Sequence, residues 1–154
     1  MITLLLALTG VLLLVAGPIM IAQGVLGRRS VVHELTSQRI VFPATGLPAP
    51  LARYAQTPVR TGLQARAYSE FIAGHVAQAT DGRTYAEIAA ECMGAGRGDQ
   101  RLDRLRQTAF MGETLRGALL GAYQAWQVTT LVTGLGGLIM LIGAVFLVLG
   151  AHLR

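Results

Sequence analysis

The amino-acid sequence predicts an all-α membrane protein: an antiparallel two-helix transmembrane hairpin with a small helical extramembrane head and a long continuous C-terminal helix. Three observations lead there. Hydrophobic residues make up 53% of the 154-residue chain and charged residues only 14%, a balance unlike that of an ordinary water-soluble domain. The apolar residues concentrate at the two ends, where Ile2 to Leu26 and Val128 to Leu149 contain no Asp, Glu, Arg or Lys. Each run reaches the roughly 20 residues that a helix needs to cross a bilayer core. Between them, apolar residues recur at three- and four-residue spacing, the period of amphipathic helices. The chain divides into residues 1–35, a first span and its extension; 36–98, an extramembrane segment with two short helices; and 99–154, a long helix that includes the second span.

The first apolar run competes with a signal peptide. It lacks a basic start, outruns the length of such a segment and ends in Gly27-Arg28-Arg29 rather than a small-residue cleavage site, so an uncleaved anchor is expected. Pro18 inside it removes a backbone hydrogen bond and is expected to kink the helix. The helix extends to about Leu35. Gln38 to Phe42 then reads as a short extended piece, because Ile40, Val41 and Phe42 favour β geometry and Pro43 ends it. Pro43, Gly46, Pro48 and Pro50 make the stretch from Phe42 to Leu51 a stiff, non-helical connection.

From Thr61 the pattern turns helical, with Leu63, Ala67, Tyr68, Phe71, Ile72, His75, Val76 and Ala79 on one face. Asp81-Gly82 stops this helix, and Thr84-Tyr85-Ala86-Glu87 is a capping-box sequence that starts a second through about Met93. Gly94, Gly96 and Gly98 form a loose joint. Asp99 is a good N-cap for a third helix, and no Pro or turn signal follows it. That helix directs Leu102, Leu105, Ala109 and Phe110 at the others, and Tyr123 and Trp126 mark its entry into the membrane interface.

Glycines give the helix-packing expectation. Gly10, Gly17 and Gly24 recur every seven residues in the first span and Gly136, Gly143 and Gly150 in the second. Seven residues are close to two turns, so each set lines one face. In an antiparallel hairpin Gly10 would face Gly150, Gly17 would face Gly143 and Gly24 would face Gly136, bringing backbones together where lipid supplies no hydrophobic drive for association. A second small-residue row, Gly117, Gly121 and Ala125, is expected to meet another subunit or another helix of this chain.

The residues provide no catalytic, cofactor-binding or metal-ligating constellation. The histidines are His33, His75 and His152, and a two-histidine, one-carboxylate iron site would need two of them beside a carboxylate. His75 is read as a packed, hydrogen-bonded side chain on the apolar face. Glu70, Glu87 and Glu91 are read as solvated, with Glu87 serving its helix cap. Neither a phosphate-binding loop nor a nucleophile elbow is present. The apolar runs carry no ionisable side chain, which disfavours a proton relay or ion pathway. The single Cys92 excludes an intrachain disulfide. All thirteen basic residues are arginine, giving a net charge of +5. They are scattered among eight acidic residues, which disfavours nucleic-acid binding. Arg28 and Arg29, beside the first span, fit anionic lipid headgroups.

The stretch Ala67-Tyr68, Ile72, His75 and Gly82-Arg83-Thr84-Tyr85-Ala86-Glu87, followed by Leu115-Arg116 and Leu131-Val132-Thr133-Gly134-Leu135-Gly136, resembles a family of small actinobacterial membrane proteins with two spans and no established activity. The resemblance covers roughly residues 38–145, and its most specific part runs from Ile72 to Glu87. This chain departs from the pattern in having Arg83 where Lys is usual, a Gly-rich insertion around Gly94 to Gly98 and no charged N-terminus. Members are often labelled aromatic ring-opening dioxygenases, but the iron ligands that label requires are missing from these residues.

Arg28, Arg29 and Arg116 flank the spans on the side of the middle segment and Arg154 on the other, which by the positive-inside rule favours a cytoplasmic middle. The rule weakens for loops beyond about 60 residues, and the family resemblance implies an external loop. An extracytoplasmic middle segment in a two-pass cell-membrane protein is therefore expected. The expected function is that of a non-catalytic accessory or structural subunit of a homo-oligomer or a larger membrane complex, in contact with membrane lipid and with a membrane-protein partner or itself. The alternative is a small ligand-binding or sensory module holding a lipid or quinone beside Tyr68, His75 and Tyr85.

Overall fold

In a computed structural model, which describes residues 1–94 and 99–153, the chain forms α1 (Ile2–Ser37), a 3-10 helix (Ala49–Tyr54), α2 (Gly62–Thr80), α3 (Tyr85–Gly94) and α4 (Gln100–His152). Among the described residues there is no strand, and the extended piece at Val41 pairs through a single antiparallel bridge with Pro58. Helices α1 and α4 are long and apolar enough to cross a membrane. Gly96 and Gly98 of the expected joint, and Arg154, lie outside the described residues. The chain separates into two compact units, residues 1–33 with 125–154, and residues 34–124.

In the 34–124 unit, local sequence signals fix most boundaries. Thr61 caps α2 through a capping box: its hydroxyl accepts from the Gln64 backbone N–H at 3.3 Å, and the Gln64 side chain accepts from the Thr61 N–H at 3.0 Å. Asp81 ends α2 at φ 52° and Gly82 follows at φ 75°, donating its N–H to the Ala77 carbonyl at 2.8 Å. This is the left-handed helix ending that Gly-containing turns provide. Thr84 and Glu87 cap α3, with the Thr84 N–H donating to the Glu87 carboxylate at 2.7 Å and the Glu87 N–H to the Thr84 hydroxyl at 3.3 Å. The Asp99 carboxylate accepts from the N–H groups of Arg101 and Leu102 at 2.9 and 3.1 Å, starting α4.

One feature of this unit differs from expectation and another adds to it. The connection after Phe42 is not wholly non-helical, because Pro48 and Pro50 set backbone angles compatible with the 3-10 turn over Ala49–Tyr54. The extended piece also has a partner: Phe42 donates its N–H to the Thr57 carbonyl at 3.0 Å, and Val59 donates to Ile40 at 2.9 Å. The clasp buries Phe42 and Val59 to 1% exposure each. The Phe42 ring stacks on Tyr54 at 5.2 Å and meets Tyr68 edge-on at 5.0 Å.

The buried stripe of α2 coincides only in part with the expected face. It runs through Gly62, Ala65, Ala67, Ser69 and Thr80; of the expected face Ala67 is buried, Tyr68, Phe71, Ile72 and Val76 are partly covered, and Leu63, His75 and Ala79 are exposed. Small residues carry little hydropathy signal but permit close approach, so a face drawn through the larger side chains lands beside the packed one. Gly112 of α4 is buried opposite this stripe, and a Cβ there would overlap the Val76 side chain. Helix α3 seats Ile88 against Leu102 and Ala109, with Cys92 and Leu105 at the edge. Phe110, expected to point inward, is mostly exposed and leans on Tyr85 at 5.8 Å.

In the unit of residues 1–33 and 125–154, α1 runs through Pro18 without a break. Its buried residues, among those described, are Gly10, Gly17, Gly24, Gly136, Gly143 and Gly150. Large apolar side chains such as Leu12, Leu131 and Leu141 point outward.

Candidate functional site

The glycine face brings backbone against backbone. A Cβ built on Gly10 would lie 2.9 Å from the Gly143 carbonyl oxygen, and one on Gly143 would lie 2.9 Å from that of Gly10. The same reciprocity joins Gly17 and Gly136, at 2.7 and 2.8 Å, while Gly24 faces the Thr129 carbonyl at 2.9 Å. Gly150 is looser, with Thr3 O at 3.5 Å. Backbone meeting backbone in this way is the arrangement that weak Cα–H to carbonyl contacts accompany at helix interfaces.

This register is one seven-residue step from the expected one, which set Gly10 against Gly150. The charged end explains the step. Arg28 places its guanidinium 4.0 Å from the centre of the Trp126 ring, a cation–π contact. In the expected register Arg28 would have fallen beside Val132, inside the uncharged run. The threonines opposite Gly24 and Gly27 satisfy their own hydroxyls: Thr129 donates to the Trp126 carbonyl at 2.8 Å and Thr133 to the Thr129 carbonyl at 2.8 Å. Such internal bonding removes the cost of a bare hydroxyl in an apolar setting. Gly117 and Gly121 have open space where a Cβ would stand, and both are exposed, as is Ala125.

Tyr68 and Tyr85 line different hollows, and His75 lines none of these. Tyr68 lies against Phe42 and Phe71 and lines a cavity of about 440 Å³ with Glu34, Gln38 and Ile72. His75 is exposed, with Nδ1 3.0 Å from the Phe71 carbonyl and its ring 4.3 Å from that of Phe71. It is hydrogen-bonded as expected, but not packed inside. Tyr85 borders two other hollows, one with Arg106 and Phe110, the other with Arg83, Glu113 and Arg116.

Ionisable groups serve caps and surface pairs. Glu87 is held below the usual carboxylate range, first by the Thr84 backbone N–H and then by the Thr84 hydroxyl. Arg83 pairs with Glu91 at 2.8 Å and Arg116 with Glu113 at 2.7 Å. The Arg66 guanidinium reaches the Tyr123 hydroxyl at 3.4 Å and Glu70 at 3.2 Å. Two polar atoms escaped the sequence reading because nothing in the sequence marks them. Thr80 Oγ1 and Arg116 Nε are buried without a hydrogen-bond partner among the described residues. Among the described residues no group of three or more His, Cys, Asp or Glu is placed to hold a metal. Comparison of the chain with protein-family models, with curated proteins and with solved structures finds no match.

Proposed function

We propose that α1 and α4 cross the cell membrane as an antiparallel hairpin, and that the protein is a non-catalytic accessory or structural subunit packing against copies of itself or a larger membrane complex. One observation carries this reading. In the unit of residues 1–33 and 125–154 the buried residues described are six glycines, and the large apolar side chains face outward. A helix pair with an interior of backbone and an exterior of Leu, Val and Ile has no stable place in water, where apolar patches of this extent are rare. Lipid or apolar protein must cover it. The descending pairing of Gly10, Gly17 and Gly24 with Gly143, Gly136 and Thr129 supports the antiparallel sense.

The subunit role draws on what the 34–124 unit leaves uncovered. Leu63, Phe110, Met111 and Leu115 are each more than half exposed, and Gly117 and Gly121 offer an unoccupied surface that another helix can approach closely. The middle segment is assigned to the extracytoplasmic side. Mild solubilisation of a tagged protein from its native membrane, followed by native mass analysis, tests the role. Stoichiometric copies or partner proteins are expected, and a stable, partnerless monomer would overturn it.

A further inference from the structure

We propose that the cavity bounded by the end of α1, α2 and α4 binds a single-tailed aliphatic amphiphile with a positively charged amine head. The inference goes beyond the subunit role and is independent of it, because every residue lining the cavity lies within the 34–124 unit. At about 440 Å³ it falls in the range of small-molecule pockets, about 300–1,000 Å³. Leu35, Ile40, Ile72 and Leu119 supply an apolar wall, of which Leu35 and Leu119 are buried. Such pockets are mostly apolar with a few polar groups that orient the ligand.

The polar groups here are specific in sign. Glu34 lies in the last turn of α1 and Gln38 just past its end, with the Gln38 amide donating to the Glu34 carboxylate at 3.3 Å. Among the described residues Glu34 has no ion-pair partner. Among the described residues no arginine lines this cavity, although the chain has thirteen and two other hollows contain Arg106, or Arg83 and Arg116. The cavity thus presents one negative charge at the rim of an apolar wall and nothing to neutralise an anion. A fatty acid or an anionic lipid headgroup would set like charges together, which disfavours it, whereas an ammonium head would complete the missing pair.

The test uses the full chain in discs of zwitterionic lipid and a dodecylamine carrying a photoreactive group on its tail. Saturable labelling of peptides containing Ile72, Leu115 or Leu119 is expected. Unlabelled dodecylamine should compete about three- to fivefold better than dodecanol, the scale of an exposed ion pair, and dodecanoate should compete least. Glu34→Gln should erase the preference for amine over alcohol while labelling persists, and Ala122→Leu, which fills the cavity, should reduce labelling by either. Labelling confined to residues 1–33 and 125–154, absent or unsaturable labelling, or competition by dodecanoate equal to that of the amine would each overturn the proposal. So would an amine preference that survives Glu34→Gln.

Discussion

Adding one methyl group to the glycine face should loosen the α1 and α4 pair, and Gly17→Ala is the sharpest case. The new Cβ would overlap the Met140 side chain and stand 2.7 Å from the Gly136 carbonyl oxygen, whereas ordinary carbon-to-oxygen contacts begin at about 3.3 Å. The helices must therefore separate by roughly 0.6 Å at this level, because a backbone carbonyl cannot swing aside as a side-chain tip can. A gap of that size forfeits about a quarter to a half of each dispersion contact it opens. Overpacking of this kind costs about 1–3 kcal/mol, equivalent to roughly a 5- to 150-fold shift in an equilibrium constant. Gly136→Ala, at 2.8 Å from Gly17 O, should behave alike. Gly150→Ala, whose nearest neighbour lies at 3.5 Å, and Gly134→Ala, which meets nothing within 4 Å, should stay within about 0.5 kcal/mol of the parent.

The chain supplies its own reporter, since Trp126 is its one tryptophan and sits under Arg28. Titrating the protein with dodecyl sulfate while following Trp126 emission reads the separation of this unit. Gly17→Ala and Gly136→Ala should lower the midpoint while helicity at zero denaturant stays unchanged. Equal midpoints for Gly17→Ala and Gly150→Ala, or a Gly134→Ala as damaging as Gly17→Ala, would rule out a close-packed glycine face.

Three further outcomes follow from the 34–124 unit. Phe42→Ala removes the ring that joins Tyr54 to Tyr68 and should destabilise the unit by about 3–5 kcal/mol, seen as faster amide exchange in α2. Because the Glu87 carboxyl is held below its usual range by Thr84, the cap on α3 is intact above the ordinary carboxylate range and is lost as pH falls through the lowered value. Amide exchange of α3 should accelerate over that acidic window, and Glu87→Gln should flatten the dependence. Cys92, half-buried and the chain's single cysteine, should react with a membrane-impermeant maleimide on intact cells; labelling that requires lysis would place the middle segment on the cytoplasmic side.

Capping residues were the most legible part of the sequence. Thr61, Asp81-Gly82, Thr84 with Glu87, and Asp99 each mark a boundary where the helices begin or end, because a cap is a local hydrogen-bond problem solved within about four residues. The six glycines were legible for a related reason: a seven-residue period repeats one helix face. Their register was not, since periodicity is unchanged by a seven-residue slide and the choice falls to Arg28 and Trp126. Gly112 and the clasp between Ile40 and Val59 also escaped, as each depends on a partner distant in sequence. The cavity beside Glu34 escaped for the same reason, because its walls come from three helices.

Thr80 tests how far polar satisfaction governs the 34–124 unit. It is fully buried at the end of α2, and its hydroxyl has no partner among the described residues. A buried hydroxyl left unpaired costs about 1–3 kcal/mol. Thr80→Val exchanges that hydroxyl for a methyl group of nearly equal size, so the cavity term is small and the desolvation penalty disappears. The variant should therefore be more stable by about 1 kcal/mol, read as slower amide exchange in α2. Thr80 borders the same hollow as Arg116, whose Nε is likewise buried and unpaired. A destabilised Thr80→Val would mean that a water or ligand in this hollow bonds the hydroxyl. Arg116→Lys, which removes Nε, would separate the two cases: it should add to the Thr80→Val effect where the sites are independent, and fail to add where one bridging molecule serves both.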